Sequence, residues 1–99
     1  MSVKVITKSV GDTKTTLIAA GLSGVTVAFV NVPNSALWIG GSDLDIDGSG
    51  HVVNGVNVPS GTLEMQLRLL SGDTLYGIVP SSAGGPYDYP FLTYDGSVL

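Results

Sequence analysis

Short runs of alternating apolar and polar residues cover most of the chain, and glycine or proline separates one run from the next. The clearest run is 63–69, in which four apolar residues occupy every second position. This spacing places them on one face of a strand and leaves Glu64, Gln66 and Arg68 on the other. By the same pattern, further strands are predicted to begin near Val3, Thr15, Val25, Leu37 and Leu75.

Turn signals recur about every 8 to 12 residues, and no window sustains a helical period. The pair Asn54-Gly55 lies between two valine-rich arms. It predicts a tight hairpin, because both residues tolerate the positive φ of a type I′ turn. The fold class is therefore all-β: an antiparallel β-sandwich or small barrel of the Greek-key or jelly-roll kind.

The last part of the chain differs in composition from the rest. Residues 1–80 are expected to form the sandwich, and 81–99 a Pro/Gly/aromatic segment of the same domain, either a loop or arm with a final strand. Proline interrupts this segment, which is atypical of a strand in the middle of a sheet. Its aromatic residues suit a partner interface, or they complete the last strand and pack on the domain's own core. With the single tryptophan, the candidate interface residues are Tyr87, Tyr89, Phe91, Tyr94 and Trp38.

Composition adds an expectation about partners. Charged residues make up 12% of the 99 residues, about half the ~25% usual for a soluble domain. Interface cores are depleted in charge, so we expect copies of the chain or a larger assembly to cover part of the surface. The alternative is a monomer coated with neutral polar residues. A net charge of −4 disfavours nucleic acid, and no apolar run reaches the ~20 residues of a membrane helix.

The stretch from Asp43 to Asn54 has two interpretations. Asp43, Asp45, Asp47 and a following glycine match positions 1, 3, 5 and 6 of a calcium loop. Position 12, however, is Asn54 instead of a bidentate glutamate. The sequence favours an edge strand with outward aspartates, which discourage unwanted strand pairing. We therefore expect no metal and no other cofactor.

Catalytic arrangements are poorly represented. His51 is the only histidine, Ser49 is two residues away from it, and the chain has no cysteine. A serine or cysteine nucleophile needs an oriented base beside it. A carboxylic acid that donates a proton needs an apolar pocket to raise its pKa, which alternating exposed aspartates do not provide. The chain is accordingly predicted not to be an enzyme.

Turn and strand-end residues between positions 37 and 79 carry a resemblance to a known class of protein. They are Gly40, Gly41, Ser42, Asp43, Gly55, Pro59, Gly61, Leu75 and Tyr76. In this pattern the stretch resembles small β-sandwich structural proteins of tailed-bacteriophage virions, of the capsid decoration (cement) or head-fibre type. The resemblance covers less than half of the chain. The long segment from 43 to 51 and the aromatic tail depart from the pattern.

The resemblance implies a protein that is made in the host cytoplasm and resides on the capsid exterior. It would form homo-oligomers, with trimers favoured, and bridge neighbouring subunits of the major capsid protein. An alternative from another class is a carbohydrate- or receptor-binding module of a phage tail or fibre. That module would use Trp38 or the tyrosines as stacking platforms.

Overall fold

The computed structural model describes residues 3–22, 24–61 and 65–94. These residues form ten strands and one short 3-10 helix, Ser81–Ala83. The strands are Val3–Val10 (β1), Thr15–Ala19 (β2), Val25–Phe29 (β3), Trp38–Gly40 (β4), Asp45–Ile46 (β5), Val52–Val53 (β6), Val56–Asn57 (β7), Met65–Leu69 (β8), Thr74–Ile78 (β9) and Tyr87–Tyr94 (β10).

The strand pairing follows one rule along the whole chain. The first strand pairs with the last, the second with the last but one, and so on inwards: β1 with β10, β2 with β9, β3 with β8, β4 with β7, and β5 with β6. The chain is thus one long antiparallel hairpin that rolls up into two four-stranded sheets. Their strand orders are β1-β10-β3-β8 and β2-β9-β4-β7. This is the jelly-roll arrangement, and it confirms the predicted all-β sandwich.

The core lies between the inner faces of the two sheets. Phe29 of β3 and Phe91 of β10 meet there, with ring centroids 5.6 Å apart. Gly77 of β9 makes room for Leu17 of β2, since a Cβ at residue 77 would lie 3.1 Å from a methyl carbon of that leucine. Both sheets therefore contribute side chains to the core. In the second sheet, the missing side chain of Gly77 also leaves the space that Leu17 fills.

The C-terminal segment supplies a central strand, because β10 lies between β1 and β3. The expectation that proline keeps this segment out of the middle of a sheet was wrong. β10 pairs with β1 along its whole length, but with β3 only from Leu92 to Tyr94. Pro90 thus has no paired strand on its β3 side, where a missing N–H costs no ladder hydrogen bond.

The predicted Asn54-Gly55 hairpin was also wrong. Asn54 has a left-handed φ of 58°, but it lies at a corner between strands that pair with different partners. The strand before it, β6, pairs with β5, and the strand after it, β7, pairs with β4. A Cβ on Gly55 would lie 2.5 Å from Cδ1 of Leu44. The glycine therefore allows Leu44 to pack closely against the backbone at this corner.

Candidate interaction surface

The aspartate-rich stretch forms the β5–β6 hairpin, the innermost pair in the order of strand pairing. Oδ1 of Asp47 accepts hydrogen bonds from the backbone N–H of Ser49 at 2.9 Å and of His51 at 3.0 Å. The Asp47 N–H donates to the His51 carbonyl at 2.8 Å, and Gly50 has a left-handed φ of 82°. The carboxylate of Asp47 therefore stabilises the turn. Ser49 and His51 bind it with their backbone N–H groups and not with their side chains.

The predicted alternation along this stretch is confirmed. Leu44 is buried and Ile46 is half-buried, whereas the three aspartates between and beside them are exposed. The carboxylate of Asp45 accepts the N–H of Ile46 at 2.8 Å. Within the described ranges, no three His, Asp or Glu side chains form a group that could hold a metal ion.

Backbone hydrogen bonds also set the titration of the turn. The N–H groups of His51 and Ser49 lower the pKa of Asp47 below its ordinary value of 3.8, because they stabilise the carboxylate. The His51 ring is exposed, and its Nδ1 lies 3.9 Å from Oδ1 of Asp47. The imidazole is a weaker influence on that pKa than the two backbone donors.

The aromatic interface candidates of the C-terminal segment divide between the two faces of β10. Tyr89 and Phe91 are buried in the core, so neither is available to a partner. The hydroxyl of Tyr89 donates to Oδ1 of Asn34 at 2.6 Å, and burial raises the pKa of this tyrosine above its ordinary value of 10.0. Tyr87 is half-buried on the same side of the strand, whereas Tyr94 lies on the outward side.

Trp38 lies half-buried on the outer face of the second sheet. It pairs with Ile78 of β9, and Tyr76 lies two residues earlier on that strand, hence on the same face. Nζ of Lys14 lies 4.9 Å from the Tyr76 ring centroid and donates to the Ser42 carbonyl at 2.6 Å. A cation therefore occupies one side of the tyrosine ring.

The outer face of the first sheet is apolar where β1 and β10 pair. Four cross-strand pairs of these strands face outward, and we call the six residues of three of them the outer patch: Val3 with Tyr94, Val5 with Leu92, and Thr7 with Pro90. The fourth pair, Ser9 with Asp88, adjoins the patch and is polar. Val5 is 70% exposed and Val3 is 55% exposed. Among the outward positions of the four strands of this sheet, only Asp88 and Arg68 are charged, and both lie outside the patch.

Two recesses adjoin these strands. A shallow groove of about 240 Å³ borders the outer patch and is lined by Val5, Val30, Asn31, Pro90, Phe91 and Leu92. A second cleft, of about 500 Å³, opens between the two sheets on the side of β1 and β2 and includes Lys4, Ile6, Ile18 and Leu22 in its lining. The groove gives the outer patch a concave margin beside its exposed valines.

The sequence alone does not indicate that Val3 and Val5 are exposed on the outer face of a sheet. The alternation of β1 was visible, but an alternating strand with apolar residues on both sides does not reveal which side faces the core. Pairing with β10 decides it: Ile6 lies opposite buried Phe91, so the two valines face outward. The necessary signal was a register between the two ends of the chain.

Comparison with known proteins gives no relatives. No protein-family model, no curated protein and no solved structure matches the chain. In the part of the chain that the structure describes, no helix is long and apolar enough to cross a membrane.

Proposed function

We propose that the protein is a structural component of a tailed-bacteriophage virion that binds the outer surface of the capsid and reinforces the shell. The observation that carries the proposal is the outer patch, an uncharged apolar surface on a paired sheet. Exposed apolar patches on soluble proteins mark sites of contact with other molecules. The resemblance of residues 37–79 to small virion β-sandwiches supplies the partner, a lattice of major capsid protein.

The architecture suits a mechanical role. β1 and β10 pair along all eight residues without a break in register. A surface on such a ladder is already ordered before binding, so association costs little conformational entropy. On a capsid the same contact repeats at many sites, and copies that also touch one another gain avidity from their high local concentration.

A second candidate is a carbohydrate- or receptor-binding module. The observation that favours it is Trp38 on the outer face of the second sheet, on the same side as Tyr76. Aromatic rings on a sheet face can stack on sugar rings. Jelly rolls occur both in viral capsid proteins and in lectins, so the fold alone favours neither candidate.

Co-sedimentation with capsids separates the two candidates. Capsids assembled from the major capsid protein of the encoding phage, without this protein, are expected to bind it saturably and to withstand higher temperature afterwards. Capsids that already carry a full complement serve as the control and are expected to take up none. Failure to bind the bare capsids, together with glycan binding that Trp38→Ala abolishes, would contradict the proposal and support the binding module.

A further inference from the structure

We propose that the outer patch is a contact surface between two copies of this chain, which pack with these sheet faces together across a two-fold axis. The inference deepens the proposed function and rests on it for its setting, because copies on a shell lie close together. It names the contacting surface and the partner, a second copy.

Charge distinguishes the patch from the acidic β5–β6 hairpin. Each copy has a net charge of −4, so two copies repel unless their contact excludes acidic groups. The β5–β6 hairpin presents Asp43, Asp45 and Asp47 to solvent. The outer patch has no charged residue, so two patches can meet without placing like charges opposite each other. Asp88, which adjoins the Thr7–Pro90 pair, then lies at the rim of the contact.

The shape of the surface fits a partner of the same kind. A two-fold contact uses one patch on both copies, so the patch must be complementary to itself. Val5 is mostly exposed, and it adjoins the groove beside Pro90 and Leu92. Sheets that pack face to face interdigitate their side chains at a spacing of about 10 Å. In this arrangement the valines of each copy pack against the groove of the other.

The free edge of β1 is a less suitable surface for a second copy. Lys4 and Lys8 lie on the inner side of this strand, opposite Thr93 and Tyr89, yet both lysines are exposed. Lysines on an edge strand oppose the addition of another strand. Antiparallel pairing of two β1 edges centred on Ile6 would place Lys4 opposite Lys8 of the other copy. The sheet face therefore remains the favoured contact.

The size of the face limits the area of the contact. The whole outer face, with two strands of eight residues and two of five, covers about 400 Å² at the usual rise and strand spacing; it includes Arg68 and Asp88 as well as the patch. A face-to-face pair then buries at most about 800 Å² in total, below the ~1,200 Å² of stable interfaces and in the class of weak, transient contacts. We therefore expect a reversible dimer whose population depends on concentration, strengthened where a capsid holds copies side by side.

The test is sedimentation equilibrium of the full chain between about 10 μM and about 1 mM, the range of a weak complex. The wild-type mass should rise from 10.1 kDa towards twice that value. Val5→Asp should weaken the dimer about tenfold or more, because it places two buried charges in the contact. Added salt should strengthen the wild-type dimer by screening the net charge.

Val56→Asp is the matched control, since Val56 is 58% exposed but lies on β7, outside the patch. Its dimer should equal that of the wild type. Circular dichroism checks the fold of both variants, and Val3→Asp replaces Val5→Asp if the latter fails to fold. A wild type that stays monomeric, a trimeric mass, or equal weakening by Val56→Asp would overturn the inference.

Capsid binding separates this inference from the proposed function. A wild type that saturates capsids but stays monomeric in solution would overturn the two-fold contact and leave the capsid role standing. A wild type that dimerises through the patch but does not bind capsids would support the two-fold contact and contradict the capsid role.

Discussion

The outer patch and the β5–β6 hairpin are both exposed, but different interactions support them. The patch lies on a ladder that joins the two ends of the chain, eight residues on each strand. The hairpin has two residues on each strand, and its turn depends on bonds between Asp47 and residues at most four positions away. One surface is apolar and supported by the core; the other is acidic and supported locally.

The difference shows how a chain with few charges divides its surface. Three of its aspartates, on the hairpin or just before it, are exposed to solvent, and charges on a short edge strand oppose pairing with another strand. The outward positions of the first sheet carry two charged residues, Asp88 and Arg68. The strands of the second sheet contain no charged residue, so the acidic hairpin contrasts with both four-stranded sheets.

Removing the core beneath the patch is expected to have the largest effect. Phe91→Ala deletes a buried ring that packs against Phe29, at a cost of about 3–5 kcal/mol in the free energy of unfolding. Denaturant unfolding followed by Trp38 fluorescence measures it. Leu92→Ala is the control, since this half-buried side chain belongs to the patch, and its cost should be about 1 kcal/mol. Equal costs would contradict the assignment of the two faces of β10.

A substitution where the hairpin meets the second sheet should have the next largest effect. In Gly55→Ala the new Cβ would lie 2.5 Å from Cδ1 of Leu44 and 3.3 Å from the Ile39 carbonyl. Such overpacking should cost about 1–2 kcal/mol in the free energy of unfolding. Gly48→Ala, with open space around the added carbon, should leave thermal unfolding nearly unchanged. A stable Gly55→Ala variant would show that Leu44 can move away freely.

Disrupting the turn of the hairpin should have a smaller and local effect. Asp47→Ala removes the acceptor of the Ser49 and His51 N–H groups, so both amides should exchange with deuterium several-fold faster. The midpoint of thermal unfolding should shift by less than about 2 °C, as for most surface substitutions. Asp45→Ala is the control, because the Asp45 carboxylate accepts the N–H of Ile46 and not those of Ser49 and His51. It should leave the exchange rates of those two amides unchanged. Unaltered exchange in Asp47→Ala would contradict the role of its carboxylate.

Acidification should produce the smallest change, again confined to the hairpin. The pKa of Asp47 is lower in the folded state than its ordinary 3.8. The stabilisation from its carboxylate is therefore present above about pH 3.8 and is lost as the pH falls through the lower folded value. Amide shifts of Ser49 and His51 should titrate with a midpoint below 3.8, while the shifts of the outer patch stay constant. A midpoint at or above 3.8 would contradict the assignment.

Much of the strand pattern was predictable from the sequence because alternation reports a half-buried strand directly. Met65, Leu67 and Leu69 are half-buried on β8, and Gln66 and Arg68 are exposed, as predicted. The remaining part of that run, residues 63 and 64, lies outside the described residues. The aspartates of the hairpin also face solvent as expected, since a leucine and an isoleucine between them turn inward.

The remaining features depend on contacts between distant residues. Asn54-Gly55 carries the local signal of a hairpin, but the pairing of β6 with β5 and of β7 with β4 makes it a corner. Proline in β10 signals an edge, but the short overlap with β3 tolerates it. The outer patch requires the register between β1 and β10, which neither segment encodes alone.

The most direct test of the central claim is to follow the methyl signals of the valines by NMR as the concentration of the full chain is raised. If the outer patch is the contact surface, the signals of Val3 and Val5 shift with concentration, and those of Val56 and Val52 stay constant. Constant signals for Val3 and Val5, or shifts centred on Val52 and the hairpin, would contradict the account.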